Sequence, residues 1–201
     1  MTQASGSGTG PRVLVVDDNP TNVDLLVRRL ERDGYCVFSL DNALTFEADV
    51  DRIEPDVVLL DWMMPERSGI EALRGLRRTH DANRLPVIMV TARGEGEAVS
   101  EAIEAGANDY ITKPIDFTVL RSRMNGVLVR RMGVLEVDQA NQDLEAKVSQ
   151  RTTELQSANT RLKGEVTERI KAEARANRMA RTDILTGLPN RLHLMDRLRE
   201  L

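Results

Sequence analysis

The stretch Val57-Val58-Leu59-Leu60-Asp61 is a short apolar run that ends abruptly in a carboxylate. A run of this kind is typical of a strand that is buried on both faces of a parallel sheet. In open α/β folds the ligand site lies beyond the carboxyl ends of such strands. Asp61 therefore stands where a functional site is expected, although an Asp in this place also serves as a turn former or helix cap. The residues that end the other strands decide between the two roles.

Strand-like and helix-like patterns alternate along most of the chain before residue 130. Strands are predicted at 12–16, 35–40, 57–61, 86–90 and 109–112, and helices at 20–33, 42–53, 70–78, 97–105 and from 116 onward. This alternation indicates a doubly wound α/β domain with a parallel sheet and helices on both faces. Right-handed crossovers then place all carboxyl ends of the strands at one edge of the sheet.

Four of these strand ends carry residues suited to one chemistry: Asp17 with Asp18, Asp61, Thr91 and Lys113. Three carboxylates at one edge repel one another unless a cation lies among them, and Mg²⁺ is a hard ion that takes carboxylates and keeps several waters. A carboxylate can also attack phosphorus to give an aspartyl phosphate. Such a transfer needs charge neutralisation, which the metal, the ammonium group and the hydroxyl group can share.

The motifs at these strand ends resemble those of the receiver domain of two-component response regulators. They are Val-Val-Asp-Asp-Asn (15–19), Leu-Leu-Asp-Trp-Met-Met-Pro (59–65), Val-Thr-Ala (90–92) and Tyr-Ile-Thr-Lys-Pro (110–114). The resemblance covers about residues 12 to 130, and it implies a five-stranded parallel sheet with strand order 2-1-3-4-5. No motif position departs from the pattern of a phosphorylatable receiver.

The resemblance implies a role for each residue of the edge. Asp61 would be the phosphoacceptor, and it would hold Mg²⁺ together with Asp17, Asp18 and the backbone carbonyl of Met63. No other cofactor is expected.

Two further roles follow from the same resemblance. Thr91 and Lys113 would hold the phosphoryl group, and Tyr110 would turn inward when Thr91 does. His80 and His193 lack the surroundings of a phosphodonor site, so the donor is expected to be another protein, a sensor histidine kinase or phosphotransfer protein.

A phosphatase of the haloacid dehalogenase type also uses an Asp nucleophile with Mg²⁺. That family carries the nucleophile on its first strand, with a second Asp two positions later. Here Asp17 and Asp18 are adjacent and Asn19 follows, so the pattern fails.

The segment from Met132 to about Arg181 contains no proline, which indicates one long helix. Val134, Asn141, Val148, Leu155 and Leu162 recur every seven residues, and Val137, Leu144, Arg151 and Ala158 fill a second core position. Heptads of this kind predict a coiled coil, for which we expect a parallel homodimer. The alternative is a single solvated helix packed on its own receiver.

The stretch Asp183-Ile184-Leu185-Thr186-Gly187-Leu188-Pro189-Asn190-Arg191 resembles the opening of GGDEF domains, the diguanylate cyclases that make cyclic di-GMP. The 201-residue sequence contains neither the Gly-Gly-(Asp/Glu)-Glu-Phe signature nor a GTP-binding loop. We therefore expect no enzyme activity from this chain beyond self-phosphorylation and dephosphorylation of the receiver. The intact protein is expected to be a diguanylate cyclase, and the alternative is a signalling adaptor that recruits partners.

These interpretations divide the chain into a disordered lead-in (1–11), a receiver domain (12–130), a coiled-coil signalling helix (131–181) and the truncated start of a GGDEF domain (182–201). The net charge of −4 and the lack of a helix-turn-helix segment argue against nucleic-acid binding. No apolar run is long enough to cross a membrane. A single cysteine, Cys36, fits a cytoplasmic setting.

Overall fold

The computed structural model describes residues 3–4, 10–92, 96–183, 186–188, 190–191 and 195, without the side chains of 3–4 and 96–98. Its strands are β1 (Gln3–Ala4), β2 (Arg12–Val16), β3 (Cys36–Leu40), β4 (Val57–Asp61), β5 (Val87–Thr91) and β6 (Asp109–Thr112). Its helices are α1 (Pro20–Arg32), α2 (Phe46–Ile53), α3 (Gly69–Leu76), α4 (Gly96–Glu104) and α5 (Phe117–Arg181).

The strands form one sheet in the order β1-β3-β2-β4-β5-β6, in which β2 to β6 are parallel. Counted from Arg12, the five parallel strands have the predicted order 2-1-3-4-5, so the predicted fold class is confirmed. The sequence did not predict β1, a two-residue strand that pairs antiparallel with β3. The predicted disordered lead-in, residues 1–11, includes β1. Its other residues before Gly10 lie outside the described residues.

Alternate residues of β4 contribute to two different cores, one on each face of the sheet. Val58 and Leu60 belong to a cluster that also contains residues of α2 and α3, such as Phe46. Val57 and Leu59 belong to a second cluster, which contains residues of α1 and α5. All five residues of β4 are buried. The apolar run that ends in Asp61 is therefore continuous because helices cover both faces of this strand.

Local hydrogen bonds set where the helices begin and end. The side chain of Asn19 accepts a hydrogen bond from the N–H of Thr21, and Pro20 opens α1. Helix α2 begins at Phe46, later than the predicted start at Asn42, because the Asn42 side chain accepts a hydrogen bond from the N–H of Leu44 and forms a turn there. A polar side chain therefore caps the start of α1, whereas Thr45 at the start of α2 makes no such hydrogen bond and the turn at Asn42 delays the helix.

Helix α5 runs for 65 residues without a break, as the absence of proline predicted. The chain divides into two compact units, residues 1–139 and 140–201. In the first unit α5 buries Leu120, Met124, Val127 and Leu128. In the second unit its residues up to Arg181 are all exposed. Among the described residues, no helix combines the length and the apolar character that a membrane span requires.

Arg131 ties α5 to the amino end of β4. Its Nη1 lies 2.7 Å from the Asp56 carboxylate, and its Nε donates to the carbonyl of Arg84 at 2.8 Å. The other oxygen of Asp56 accepts the N–H of Arg12 at 2.7 Å. A second pair, Arg84 with Asp138 at 2.6 Å, lies further along the same helix. We call the contacts of Arg131 and Asp56 the basal clamp.

Arg131→Ala is expected to lower the free energy of unfolding by about 1–2 kcal/mol, because it leaves the half-buried Asp56 carboxylate without its charged partner. Urea denaturation monitored by circular dichroism measures the change. The exposed neighbour Arg130 provides the control, since Arg130→Ala removes the same side chain from the same helix. Equal stability of the two variants would contradict a stabilising clamp.

Candidate functional site

The carboxyl ends of four parallel strands meet at one edge of the sheet. Asp17 directly follows β2, Asp61 ends β4, Thr91 ends β5 and Lys113 directly follows β6. The register places Asp61 opposite Val90, one residue before Thr91. This arrangement brings together side chains that are far apart in the sequence, as the alternation of strands and helices predicted.

Lys113 lies between two buried carboxylates. Its Nζ is 2.9 Å from Oδ2 of Asp17 and 2.7 Å from Oδ1 of Asp61. Asp17 and Asp61 are 2% and 4% exposed, whereas the lysine side chain keeps a quarter of its surface in solvent. Charge-assisted hydrogen bonds of this length are strong in a partly desolvated site.

Asp17 is also held by its own segment of the chain. Its Oδ1 accepts the N–H of Asn19 at 2.9 Å, and its Oδ2 accepts a hydrogen bond from Nδ2 of Asn22 at 3.1 Å. Its N–H donates to the carbonyl of Leu40 at the end of β3. Asn22 was not among the predicted site residues, although its position in the first turn of α1 places it within reach of the residue that follows β2.

Asp18 is exposed and completes an acidic cluster. Carboxylate oxygens of Asp17, Asp18 and Asp61 all lie within 4.8 Å of one another. One ammonium group cannot balance three carboxylates, so the cluster retains negative charge. Oxygen ligands at this spacing, partly open to water, fit the coordination that Mg²⁺ prefers. The residues present therefore fit a magnesium ion.

Burial raises the pKa of Asp61, and the charges of Asp17 and Asp18 raise it further against the hydrogen bond from Lys113. Burial acts to lower the pKa of Lys113, but its hydrogen bonds to Asp61 and Asp17 prevail, and the pKa is raised. The two directions have different causes: burial disfavours the charged carboxylate of Asp61, whereas the neighbouring carboxylates favour the charged ammonium group of Lys113. A bound cation would favour the ionised Asp61 that a nucleophile requires.

The remaining predicted site residues are Thr91, Tyr110 and Met63. Thr91 is buried, and Tyr110 is half-buried against the core. The side chain of Met63 is 68% exposed, so only its backbone could serve the site. The guanidinium group of Arg123 in α5 lies 5.3 Å from the centre of the Tyr110 ring, and it pairs with Asp109. No spacing along the chain marks Arg123, because its partners belong to another element.

Comparison with known proteins assigns this arrangement to a family. Residues 13–125 match the family described as response regulator receiver domain. The chain belongs to that family. It therefore contains the receiver domain of a two-component response regulator. Receiver domains are phosphorylated by histidine kinases and usually bind Mg²⁺ at an acidic pocket, and the Asp cluster of this chain is such a pocket.

Relatives match the receiver part of the chain. The phosphate regulon transcriptional regulatory protein PhoB of Pseudomonas aeruginosa is 40% identical over 124 residues, which are 62% of this chain and 54% of PhoB. Protein PilH of the same species is 37% identical over 117 residues, which are 58% of this chain and 97% of PilH. The chain spans about half the length of the first curated relatives that it matches.

Solved receiver structures agree with this assignment. The BeF3-activated N-terminal receiver domain of Klebsiella pneumoniae RstA has a TM-score of 0.55 and 28% identity, with 58% of this chain and 97% of that chain covered. The signal receiver domain of a putative Luxo repressor protein from Vibrio parahaemolyticus has a TM-score of 0.59 and 26% identity, with coverages of 64% and 97%.

Asp61→Asn is expected to raise the free energy of unfolding of the metal-free protein by about 1 kcal/mol at pH 7. The amide removes a buried charge with two like-charged neighbours, while Lys113 keeps Asp17 as a partner. Urea denaturation in the presence of a chelator measures the change, and the exposed Asp24→Asn serves as the control. A loss of stability in Asp61→Asn would show that Lys113 already balances the cluster.

Proposed function

We propose that Asp61 accepts a phosphoryl group from a sensor histidine kinase or phosphotransfer protein, with Mg²⁺ held by Asp17, Asp18, Asp61 and the backbone carbonyl of Met63. The observation that carries this proposal is the position of Lys113, within hydrogen-bond distance of Asp61 in a cluster of three carboxylates. Like charges this close disfavour one another's ionised form unless a cation binds among them.

The transfer forms a bond between an Asp61 oxygen and phosphorus while the bond from phosphorus to the donor's imidazole nitrogen breaks. The electron pair of that bond leaves with the imidazole. When bound, Mg²⁺ neutralises charge on the phosphoryl oxygens. Lys113 supplies a second positive charge beside Asp61, where its Nζ already lies 2.7 Å from Oδ1. The Thr91 hydroxyl donates a hydrogen bond to the transferred group.

The response to phosphorylation begins at Thr91 and Tyr110. Movement of the Thr91 hydroxyl toward the phosphoryl group frees space into which the Tyr110 ring turns. This ring lies beneath Arg123 of α5, so its rotation changes a cation–π contact with the helix that leaves the receiver. The switch therefore changes the surface formed by α4, β6 and α5.

Wild-type protein incubated with Mg²⁺ and acetyl phosphate is expected to gain one phosphoryl group, detected by intact mass. Asp61→Asn removes the nucleophile and is expected to gain none. Asp24→Asn, which changes an exposed carboxylate on α1, controls for nonspecific modification. Phosphoryl incorporation into Asp61→Asn equal to that of the wild type would place the acceptor elsewhere.

For the rest of the chain we propose the division made from the sequence, with the receiver at 12–130 and a coiled-coil signalling helix at 131–181. The apolar heptad residues of α5 support it, since Val148, Leu155 and Leu162 are each more than half exposed. A solvent-exposed helix of this length gains little from intrinsic propensity, whereas a parallel homodimer covers the apolar positions. Asn141 at a core position favours a dimer and fixes its register.

The heptad spacing changes after Leu162, where Val166 and Ile170 follow at intervals of four. Such an insertion locally unwinds a supercoil. We place the transmission of the receiver state in this part of the helix, toward a cyclic di-GMP output that begins near Asp183. Ile184, Leu185 and Pro189 of the GGDEF-like stretch lie outside the described residues, so the resemblance alone supports this output.

Leu155→Lys is expected to convert the dimer to a monomer in sedimentation velocity, because it places a charge at the centre of the apolar seam. The adjacent Gln156→Lys introduces the same charge outside the seam and is expected to leave the dimer intact. A monomeric wild type would favour the solvated single helix.

An adaptor that recruits partners through the receiver and the helix is the alternative function. The two functions differ in whether the coding sequence continues after Leu201 with a Gly-Gly-(Asp/Glu)-Glu-Phe signature. The transcriptional role named for PhoB is not carried over, because the match covers about half of that protein. The acidic net charge supports an output without nucleic acid, and the single Cys36 supports a cytoplasmic location.

A further inference from the structure

The connection between β4 and α3, residues 62–68, carries the backbone that directly follows Asp61. Its two ends are fixed: the N–H of Trp62 donates to the carbonyl of Val90, and the N–H of Gly69 donates to the carbonyl of Trp62. Between these ends Met64 is buried in the core and Met63 is exposed. We call this segment the β4–α3 loop.

Arg67 links the β4–α3 loop to the segment around α2. Its Nη1 donates to the carbonyl of Ala43 at 2.9 Å and to Oε2 of Glu47 at 2.7 Å. Its Nη2 donates to Oε1 of the same carboxylate at 2.5 Å. The pairing is bidentate, which fixes orientation as well as distance. Ala43 is fully buried, so one end of this link is rigid.

Gly75 of α3 leaves the space that the Arg67–Glu47 pair occupies. A Cβ at this position would lie 2.1 Å from Oε1 of Glu47 and 2.6 Å from Nη2 of Arg67. Glycine in a helix interior costs about 0.5–1 kcal/mol relative to alanine. Here this cost is explained by the ion pair, which lies directly against the helix backbone.

Both members of the pair are charged at neutral pH. The hydrogen bond from Arg67 lowers the pKa of Glu47, and the same hydrogen bond raises the pKa of Arg67. Each side chain keeps only a quarter to a third of its surface exposed. The pair is thus better shielded than the pair of Arg74 with Glu101, where about half of each side chain is exposed.

We infer that Arg67 is a positioning residue for the magnesium site, which it serves by holding the β4–α3 loop, and with it the Met63 carbonyl, in place beside Asp61. This inference rests on the proposed function, in which that carbonyl is a ligand. Metal sites lose affinity when groups behind the ligands are removed, typically by 10–100-fold for direct hydrogen-bond partners of a ligand. Three residues separate Arg67 from Met63, so we expect a decrease in Mg²⁺ affinity of about tenfold.

The test uses the fluorescence of Trp62, the single tryptophan of the chain, which directly follows Asp61. The full chain of each variant is titrated with MgCl₂ alone. The unfolding midpoint is measured separately on metal-free protein of the same variants. Arg67→Gln removes the charge and the bidentate pair. Gly75→Ala leaves every charge in place but displaces the pair sterically. Arg74→Gln breaks the more exposed pair of α3 and serves as the matched control.

Arg67→Gln is expected to raise the Mg²⁺ dissociation constant about tenfold, Gly75→Ala is expected to raise it by a smaller factor because the two side-chain ends can shift, and Arg74→Gln is expected to leave it unchanged. Arg67→Lys keeps the positive charge but cannot form the bidentate pair. Its Mg²⁺ dissociation constant is expected to lie between those of Arg67→Gln and the wild type. If Arg67→Gln lowers the unfolding midpoint but binds Mg²⁺ as tightly as the wild type, the pair only stabilises the fold and the inference is wrong. If the wild type itself binds no Mg²⁺, the proposed function fails first.

Discussion

The ammonium group of Lys113 between the buried carboxylates of Asp17 and Asp61 is the contact on which the site depends. Lys113 and Asp17 are 96 residues apart in the sequence, so no local turn can bring them together. The parallel sheet does so, because β2, β4 and β6 all end at the same edge. Burial makes the contact necessary as well as possible, since a buried carboxylate without a partner is costly.

The sequence predicted the sheet because its strands are buried on both faces and therefore read as continuous apolar runs. It also placed Asp61, Thr91 and Lys113 at one edge of the sheet, because the carboxyl ends of parallel strands meet there whatever the details of packing. Strand β1 was not predicted, since two residues in a Gly- and Ser-rich segment show no periodicity. The pairs that Arg67, Arg123 and Arg131 form were also missed. Each joins two elements through a long side chain, and sequence spacing does not encode such a contact.

In the second part of α5 the apolar pattern is regular, but no packed core of the described residues covers it in the single chain. Its apolar residues follow a clear pattern, but from Ala140 to Arg181 every residue of the helix is exposed. Intrahelical pairs such as Arg161 with Glu165 contribute only a few tenths of a kcal/mol each. A helix with this apolar stripe is stabilised chiefly when another surface covers the stripe, which is why we propose a second copy of the chain as its partner. In the proposed dimer Arg151 would weaken the apolar seam, although Glu154 lies 3.1 Å away and offsets its charge.

Strand β4 connects the basal clamp to the acidic cluster. Asp56, which precedes it, is held by Arg131 in the basal clamp, and Asp61 ends it. A strand packed on both faces between β2 and β5 has close-packed neighbours on all sides, so it resists deformation. A change at Asp61 is therefore expected to leave β4 in place and to be taken up by less constrained groups, the β4–α3 loop, Thr91 and the half-buried Tyr110. In this view the basal clamp is a fixed point of α5, and the contact of Arg123 with Tyr110 is the place where the helix responds.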